Sequence, residues 1–101
     1  MVEKLFRNNM DRYLFHNKVV SDYYSDTQEG YNHLAGVINR CIDSHFCVEL
    51  ICHDNLAILI SHSGILDRIC CVAVPRGNML SVISEIENVL IAFASGIGYD
   101  C

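Results

Sequence analysis

The spacing of apolar residues divides the first half of the chain into two helical segments. From Val2 onward they recur with the i, i+3, i+4 spacing of an amphipathic helix, which predicts a first helix that extends as far as Tyr24. A polar break at 25–29 contains two capping boxes, headed by Ser25 and Asp26, and predicts the start of a second helix. The expected apolar stripe of the second helix is Tyr31, Leu34, Ala35, Ile38, Cys41, Ile42 and His45.

The period changes from helical to β-type at Cys47. Two β-rich runs, Cys47–His53 and Leu56–His62, are separated by Asp54 and Asn55. A two-residue connection of this type is suited to a type I′ turn, so the two runs are predicted to form a β-hairpin.

A third strand and a last helix complete the pattern. The third strand is predicted over Ile65–Val74, and its last six positions are apolar without interruption, which predicts that both of its faces are covered. Asn78 is expected to cap the last helix, and Gly96 to follow its end. The apolar stripe of that helix is Met79, Val82, Ile83, Ile86, Val89, Leu90 and Phe93. The predicted fold class is therefore α+β, in the order α-α-β-β-β-α, with a three-stranded antiparallel meander packed against helices.

Length and charge narrow the functional classes. The 101 residues predict a single domain, 1–101, and the apolar fraction of 51% exceeds what a monomer of this size needs, which favours a buried interface. The net charge of −5 argues against non-specific binding to nucleic acid, because such binding depends on lysine and arginine. Beyond residue 20, ten acidic residues face three arginines, so we expect any electrostatic steering to favour a basic partner.

The six cysteines bear on the cellular compartment. The first nine residues carry scattered charges and no apolar core, so they do not form a signal peptide, and no segment approaches the length of a membrane span. We therefore expect a soluble cytoplasmic protein whose thiols are reduced and act mainly as small buried hydrophobic residues.

A metal site is the first candidate chemistry, because five possible ligands fall close together: Cys41, His45, Cys47, Cys52 and His53. The chain has no C-x-x-C motif, and Cys47 and Cys52 are separated by an odd number of residues, which places them on opposite faces of a strand. Neither a metal nor another cofactor is therefore predicted.

Enzymatic motifs are weak as well. The segment 61–64 contains serine and histidine but lacks the G-x-S-x-G nucleophile elbow. A triad that joins His62 to Asp54 or Asp67 remains an alternative, as does a cysteine–histidine nucleophile pair. The chain is predicted not to be an enzyme, with a hydrolase dependent on a thiol or a histidine as the alternative.

The best candidate for a partner-binding surface is the junction between the first two helices, which combines three tyrosines with three acids. Tyrosine supplies a large contact area at a small entropic cost, and carboxylates attract basic partners. The predicted partner-binding residues are Asp22, Tyr23, Tyr24, Asp26, Glu29 and Tyr31.

Two functions from different classes are compatible with this pattern. The size, the acidity and the absence of catalytic motifs resemble those of immunity proteins, antitoxins and other inhibitors that occlude a basic cleft of another protein. From Cys47 to Ala94, the three meander strands and the terminal helix also resemble the C-terminal half of roadblock-type domains. That resemblance implies a homodimeric adaptor or scaffold, which would use the helix Met79–Phe93 or an edge strand.

Overall fold

The computed structural model describes residues 17–62 and 68–94, and it has the predicted order of elements. Helical residues 17–20 are followed by helix α1 (Gln28–Cys41), strands β1 (Phe46–Cys52), β2 (Asn55–His62) and β3 (Arg68–Pro75), and helix α2 (Met79–Ala94). The strands form one antiparallel sheet in the order β1-β2-β3. The predicted α+β class and the three-stranded meander are confirmed.

One face of the sheet, the inner face, packs against both helices. Alternate residues of the strands point to it because side chains alternate along a strand, and the register places Val48 opposite Ile60 and Leu50 opposite Ile58. These side chains belong to one hydrophobic cluster with the apolar stripes of the two helices. The core of the molecule thus lies between the inner face and the two helices.

The opposite face of the sheet, the outer face, is less covered. It carries Cys47, Glu49, Ala57, Leu59, Cys71 and Ala73, which alternate with the inner residues. Val74 of β3 is buried on the inner face, whereas its neighbour Ala73 is exposed on the outer face. The prediction that β3 is covered on both faces is therefore wrong at Ala73, because the hydrophobic cluster that contains the helical stripes lies on the inner face.

Helix α1 begins one residue later than the capping box headed by Asp26 predicts, and two residues later than the box headed by Ser25 predicts. Thr27 is the N-cap, and its hydroxyl accepts a hydrogen bond from the backbone N–H of Gly30 at 3.2 Å. Ser25 instead approaches Gly30 so closely that a Cβ atom added at Gly30 would lie 2.0 Å from the carbonyl oxygen of Ser25. The helix ends at Cys41, so His45 lies outside it and is exposed, and its predicted place in the apolar stripe is wrong.

The connection between β1 and β2 is not a type I′ turn. That turn requires a positive φ at both central residues, and no non-glycine residue in the described ranges has one. His53 and Asp54 connect the strands, and the N–H of His53 donates to the carbonyl oxygen of Asn55 at 3.1 Å. The hairpin itself is confirmed, since Cys52 pairs with Leu56.

Helix α2 begins where the sequence predicts. The side-chain oxygen of Asn78 accepts hydrogen bonds from the N–H groups of Leu80 at 2.9 Å and Ser81 at 3.4 Å, which is the geometry of an N-cap. Phe93, near the end of the helix, packs edge-on against Phe46 at a centroid distance of 5.7 Å. This contact joins α2 to the start of β1.

Some predictions concern residues outside the described ranges, namely most of the first helix, the start of the third strand and Gly96. Helical residues 17–20 agree with the predicted first helix, but the helix stops before Ser21 and does not reach Tyr24. None of the described helices combines the length and the apolar character that a bilayer crossing requires.

Candidate functional site

Tyr23 is the most exposed large hydrophobic residue in the described part of the chain. It is 83% exposed and lies in the segment 21–27, which connects helical residues 17–20 to α1. Burying an aromatic ring of this size yields a large hydrophobic gain, so an exposed tyrosine is a favourable contact residue for another protein.

Asp22 holds the backbone of Tyr23 to α1. One carboxylate oxygen accepts a hydrogen bond from the N–H of Tyr23 at 2.8 Å, and the other lies 2.7 Å from Nε2 of His33. The hydrogen bond from His33, followed by that from the backbone of Tyr23, lowers the pKa of Asp22 below its ordinary value. Asp22 is therefore ionised at neutral pH and half exposed.

The ring of Tyr24 anchors the segment 21–27 in the hydrophobic core. Tyr24 is 3% exposed, belongs to the hydrophobic core, and its ring lies 5.2 Å from the ring of His33. Among the described residues its buried hydroxyl has no hydrogen-bond partner, and burial, followed by the nearby carboxylate of Asp22, raises its pKa. The structure thus places Tyr24, a predicted partner-binding residue, in the core, where its ring cannot contact a partner.

Asp26 is the centre of a second group of contacts. It accepts hydrogen bonds from Nε and Nη2 of Arg76, each at 3.1 Å, and from the hydroxyl of Tyr31 at 2.6 Å. The guanidinium of Arg76, followed by the hydroxyl of Tyr31, lowers the pKa of Asp26. Tyr31 is fully buried, and burial together with the neighbouring carboxylate raises its pKa to about 12. The predicted contact residue Tyr31 is therefore also a core residue.

Arg76 joins three connections of the chain. Besides the carboxylate of Asp26, its guanidinium contacts the backbone carbonyl oxygens of Asp26 and His53. It thereby links the segment before α1, the β1–β2 connection and the residue after β3. The prediction from sequence missed this residue. Its signal was the scarcity of basic residues beyond residue 20, since an isolated arginine in an acidic region commonly pairs with a carboxylate.

Glu29 is the remaining predicted contact residue. It is exposed in the first turn of α1, where a negative charge is favourable, and it lies one turn before His33 on the same side of the helix. Because His33 contacts Asp22, both carboxylates border the same part of the molecule. We call Asp22, Tyr23 and Glu29 the Tyr23 surface; it retains three of the six predicted residues, while Asp26 is engaged by Arg76.

Among the described residues, the cysteines and histidines do not assemble into a common site. Cys47 is exposed on the outer face, whereas Cys52 packs against the core, so the prediction that they face opposite sides is confirmed. Cys47, Cys52 and Cys71 are free thiols, and none of them is fully buried. Within residues 17–62 and 68–94, no three His, Cys, Asp or Glu side chains are grouped closely enough to hold a metal ion.

Comparison of the chain with protein-family models, with curated proteins and with solved structures finds no match in any of the three.

Proposed function

We propose that this chain is a small protein-binding module that inhibits a basic partner by docking the Tyr23 surface onto it. The observation that carries the proposal is that Tyr23 is 83% exposed while the residues on either side of it are held in place. The activity would resemble that of an immunity or antitoxin-type inhibitor, with the domain covering a basic cleft of its target.

The anchoring of the segment supports this role because it reduces the entropic cost of binding. Tyr24 is inserted in the core directly after Tyr23, and Asp22 is bonded to His33 directly before it. Asp26 is bonded to Arg76 a few residues later. A contact residue that is already held in one backbone conformation loses little further freedom when a partner binds.

The charge of the surface supports a basic partner. Arg76 neutralises Asp26, so the carboxylates of Asp22 and Glu29 carry the local negative charge within a chain of net charge −5. Such charges accelerate encounter with a basic protein, and the effect is screened by salt.

The test begins with affinity capture from lysate of the source cells, followed by binding measurements with the purified target. Tyr23→Ala should weaken binding at least tenfold, because a central exposed aromatic contact of this kind contributes about 2 kcal/mol. Leu80→Ala is the matched control, since Leu80 is 68% exposed but lies on α2. Equal binding by the wild type and Tyr23→Ala would overturn the proposal.

A charge variant tests the nature of the partner. Replacing Asp22 with Asn and Glu29 with Gln should slow association at low salt and flatten its dependence on ionic strength. Asp26 is left unchanged in this variant, because its contacts with Arg76 and Tyr31 are internal to the domain. An unchanged salt dependence would contradict the basic character of the partner.

A further inference from the structure

The β1 edge of the sheet is closed by two side-chain amides of α1. Asn39 donates to the carbonyl oxygen of Val48 at 2.9 Å and accepts from its N–H at 2.7 Å. Gln28 donates to the carbonyl oxygen of Leu50 and accepts from the N–H of Cys52, both at 2.8 Å. A primary amide offers one acceptor and a donor group, as a peptide unit does, so the two side chains occupy the positions of a neighbouring strand.

The β3 edge has no equivalent cover within the described residues. The hydrogen-bonding groups of β1 that point away from β2 belong to alternate residues, including Val48, which pairs with Ile60. Because hydrogen-bonded and non-hydrogen-bonded pairs alternate in an antiparallel sheet, the partners of these residues in β2 direct their N–H and C=O groups towards β3. Ile58 of β2 and Val72 of β3 are such a pair, so their N–H and C=O groups point to each other. The N–H and C=O groups of Cys71 and Ala73 consequently point away from the sheet.

The same edge is the part of this acidic chain that best tolerates a second copy. Residues 68–84 form its longest stretch without an acidic residue, and the only charges in it are Arg68 and Arg76. Two copies of a chain with a net charge of −5 repel each other, and they do so least where neither presents carboxylates. An edge strand without acidic residues, and with proline only at its last position, is also a ready template for strand pairing.

We propose that two copies of the chain pair through their β3 edges, antiparallel and about a twofold axis, and so join two three-stranded sheets into one continuous sheet. With Val72 on the axis, Cys71 of each copy lies opposite Ala73 of the other, and both outward-pointing residues form hydrogen-bonded pairs. The same register brings Arg68 of each copy near Arg76 of the other, whose charge is neutralised by Asp26. The small side chains of Cys71 and Ala73 allow this close approach on the outer face. This interface goes beyond the proposed inhibitory function and shares no residue with the Tyr23 surface.

The test measures the mass of the full chain by light scattering from micromolar to millimolar concentration. The wild type should become dimeric, and Ala73→Pro should raise the dissociation constant at least tenfold, because the variant lacks an outward N–H in each copy. Proline is tolerated at such an edge position, since the lost N–H does not bond to β2. If Ala73→Pro does not fold, Ala73→Lys replaces it, and this variant should also weaken the dimer because a charge on an edge strand opposes strand pairing.

Ala57→Lys is the matched control, because Ala57 lies on the outer face directly opposite Ala73 but in the central strand. The Ala57→Lys variant should leave the dimer intact. In the wild type, the amides of Cys71 and Ala73 should exchange more slowly with solvent as the protein concentration rises.

A wild type that stays monomeric at millimolar concentration would overturn the proposal, as would unchanged dimerisation of the edge variants. Loss of the dimer in Ala57→Lys would also overturn it, by moving the interface to the outer face. Tyr23→Ala should have no effect on dimerisation, so this test and that of the inhibitory function fail independently.

Discussion

The two edges of the sheet differ in whether side chains bond to their outward-pointing peptide groups. Along β1, α1 runs beside the strand, and the side chains of Asn39 and Gln28 bond to its outward-pointing peptide groups. Along β3, no side chain of the described residues bonds to an outward-pointing peptide group, and the contact between the side chains of Arg76 and Asp26 lies beyond the end of the strand. A sheet edge can therefore be closed by a helix without a further strand, provided that the helix carries amides at the right spacing.

This difference shows what makes polar residues useful on a helix that faces a sheet. Gln28 and Asn39 lie about three turns apart, on the side of α1 next to β1. Their amides leave few peptide groups of β1 open to strand addition, which is a recognised route to aggregation. The cost is that α1 must be held in one position relative to β1.

Among variants near the closed β1 edge, Gly30→Ala is expected to cause the largest loss of stability. The added Cβ would lie 2.0 Å from the carbonyl oxygen of Ser25, so the start of α1 must shift and the variant should lose about 3 kcal/mol of stability. Gly36→Ala is the control, because its Cβ would meet nothing closer than Arg40 at 3.9 Å. That change should stabilise the helix by up to about 1 kcal/mol. Urea denaturation measures both, and equal effects would show that Gly30 is not needed for its close approach to Ser25.

Asn39→Ala tests the closure itself. The variant leaves the N–H and C=O groups of Val48 without their partner, and we expect a loss of about 2 kcal/mol in the free energy of unfolding. Asn88→Ala, at an exposed position of α2, should cost less than about 0.5 kcal/mol. If the two variants unfold at the same urea concentration, the amide of Asn39 does not stabilise the β1 edge.

Stability should fall in alkaline solution because of Tyr31. Its pKa is near 10 in the unfolded chain and about 12 in the folded one, so the folded state holds the phenolic proton more tightly. The resulting stabilisation, on the order of 2 kcal/mol, is complete below pH 10 and is lost as the pH rises to 12. Tyr24 contributes in the same direction, since burial raises its pKa.

Tyr31→Phe is the matched variant for that titration. It lacks the ionisable group and should show a shallower decline of the unfolding free energy between pH 10 and pH 12. A decline as steep as that of the wild type would assign the alkaline transition to other groups.

A smaller change in stability is expected in acid, where the contact between Asp26 and Arg76 at the end of β3 is lost. The pKa of Asp26 is lowered in the folded state, so its contribution is present above the ordinary aspartate value near 4 and is lost as the pH falls below it. Asp26→Asn should reduce the steepness of acid unfolding, measured by circular dichroism. Asp43→Asn provides a comparison at another aspartate, outside this group of contacts. A profile for Asp26→Asn that matches the wild type would show that this contact does not stabilise the fold.

The sequence predicted the elements well where local spacing and packing agree. The hairpin pairing of β1 with β2 and the N-cap at Asn78 are confirmed, because a period of two and a capping asparagine are local signals. The N-cap of α1 was placed too early, since Thr27 competes with Ser25 and Asp26 over three adjacent positions. The close approach of Ser25 to Gly30 is a contact that neither capping box predicts.

The candidate site was predicted in composition but not in arrangement. Three tyrosines occur close together in sequence, yet Tyr24 and Tyr31 point into the core while Tyr23 points to solvent. Helical spacing places Tyr31 in the apolar stripe of α1, but it does not distinguish Tyr23 from Tyr24, because the segment 21–27 is neither helix nor strand and has no regular side-chain alternation. The sequence also did not identify Asp26 as the carboxylate that pairs with Arg76, since the two residues are brought together from distant parts of the chain.

By itself, the sequence determined the α+β class, the order of the elements, the acidic balance and the segment in which the candidate surface lies. These properties follow from residue type and from spacing over a few turns of backbone. The tertiary structure decided which tyrosine is exposed, which carboxylates are engaged, and that the β1 edge is closed while Cys71 and Ala73 present the β3 edge. The reason is physical: burial and hydrogen-bond partners are set by residues far apart in the chain, and such contacts exist only once α1 and the sheet have packed together.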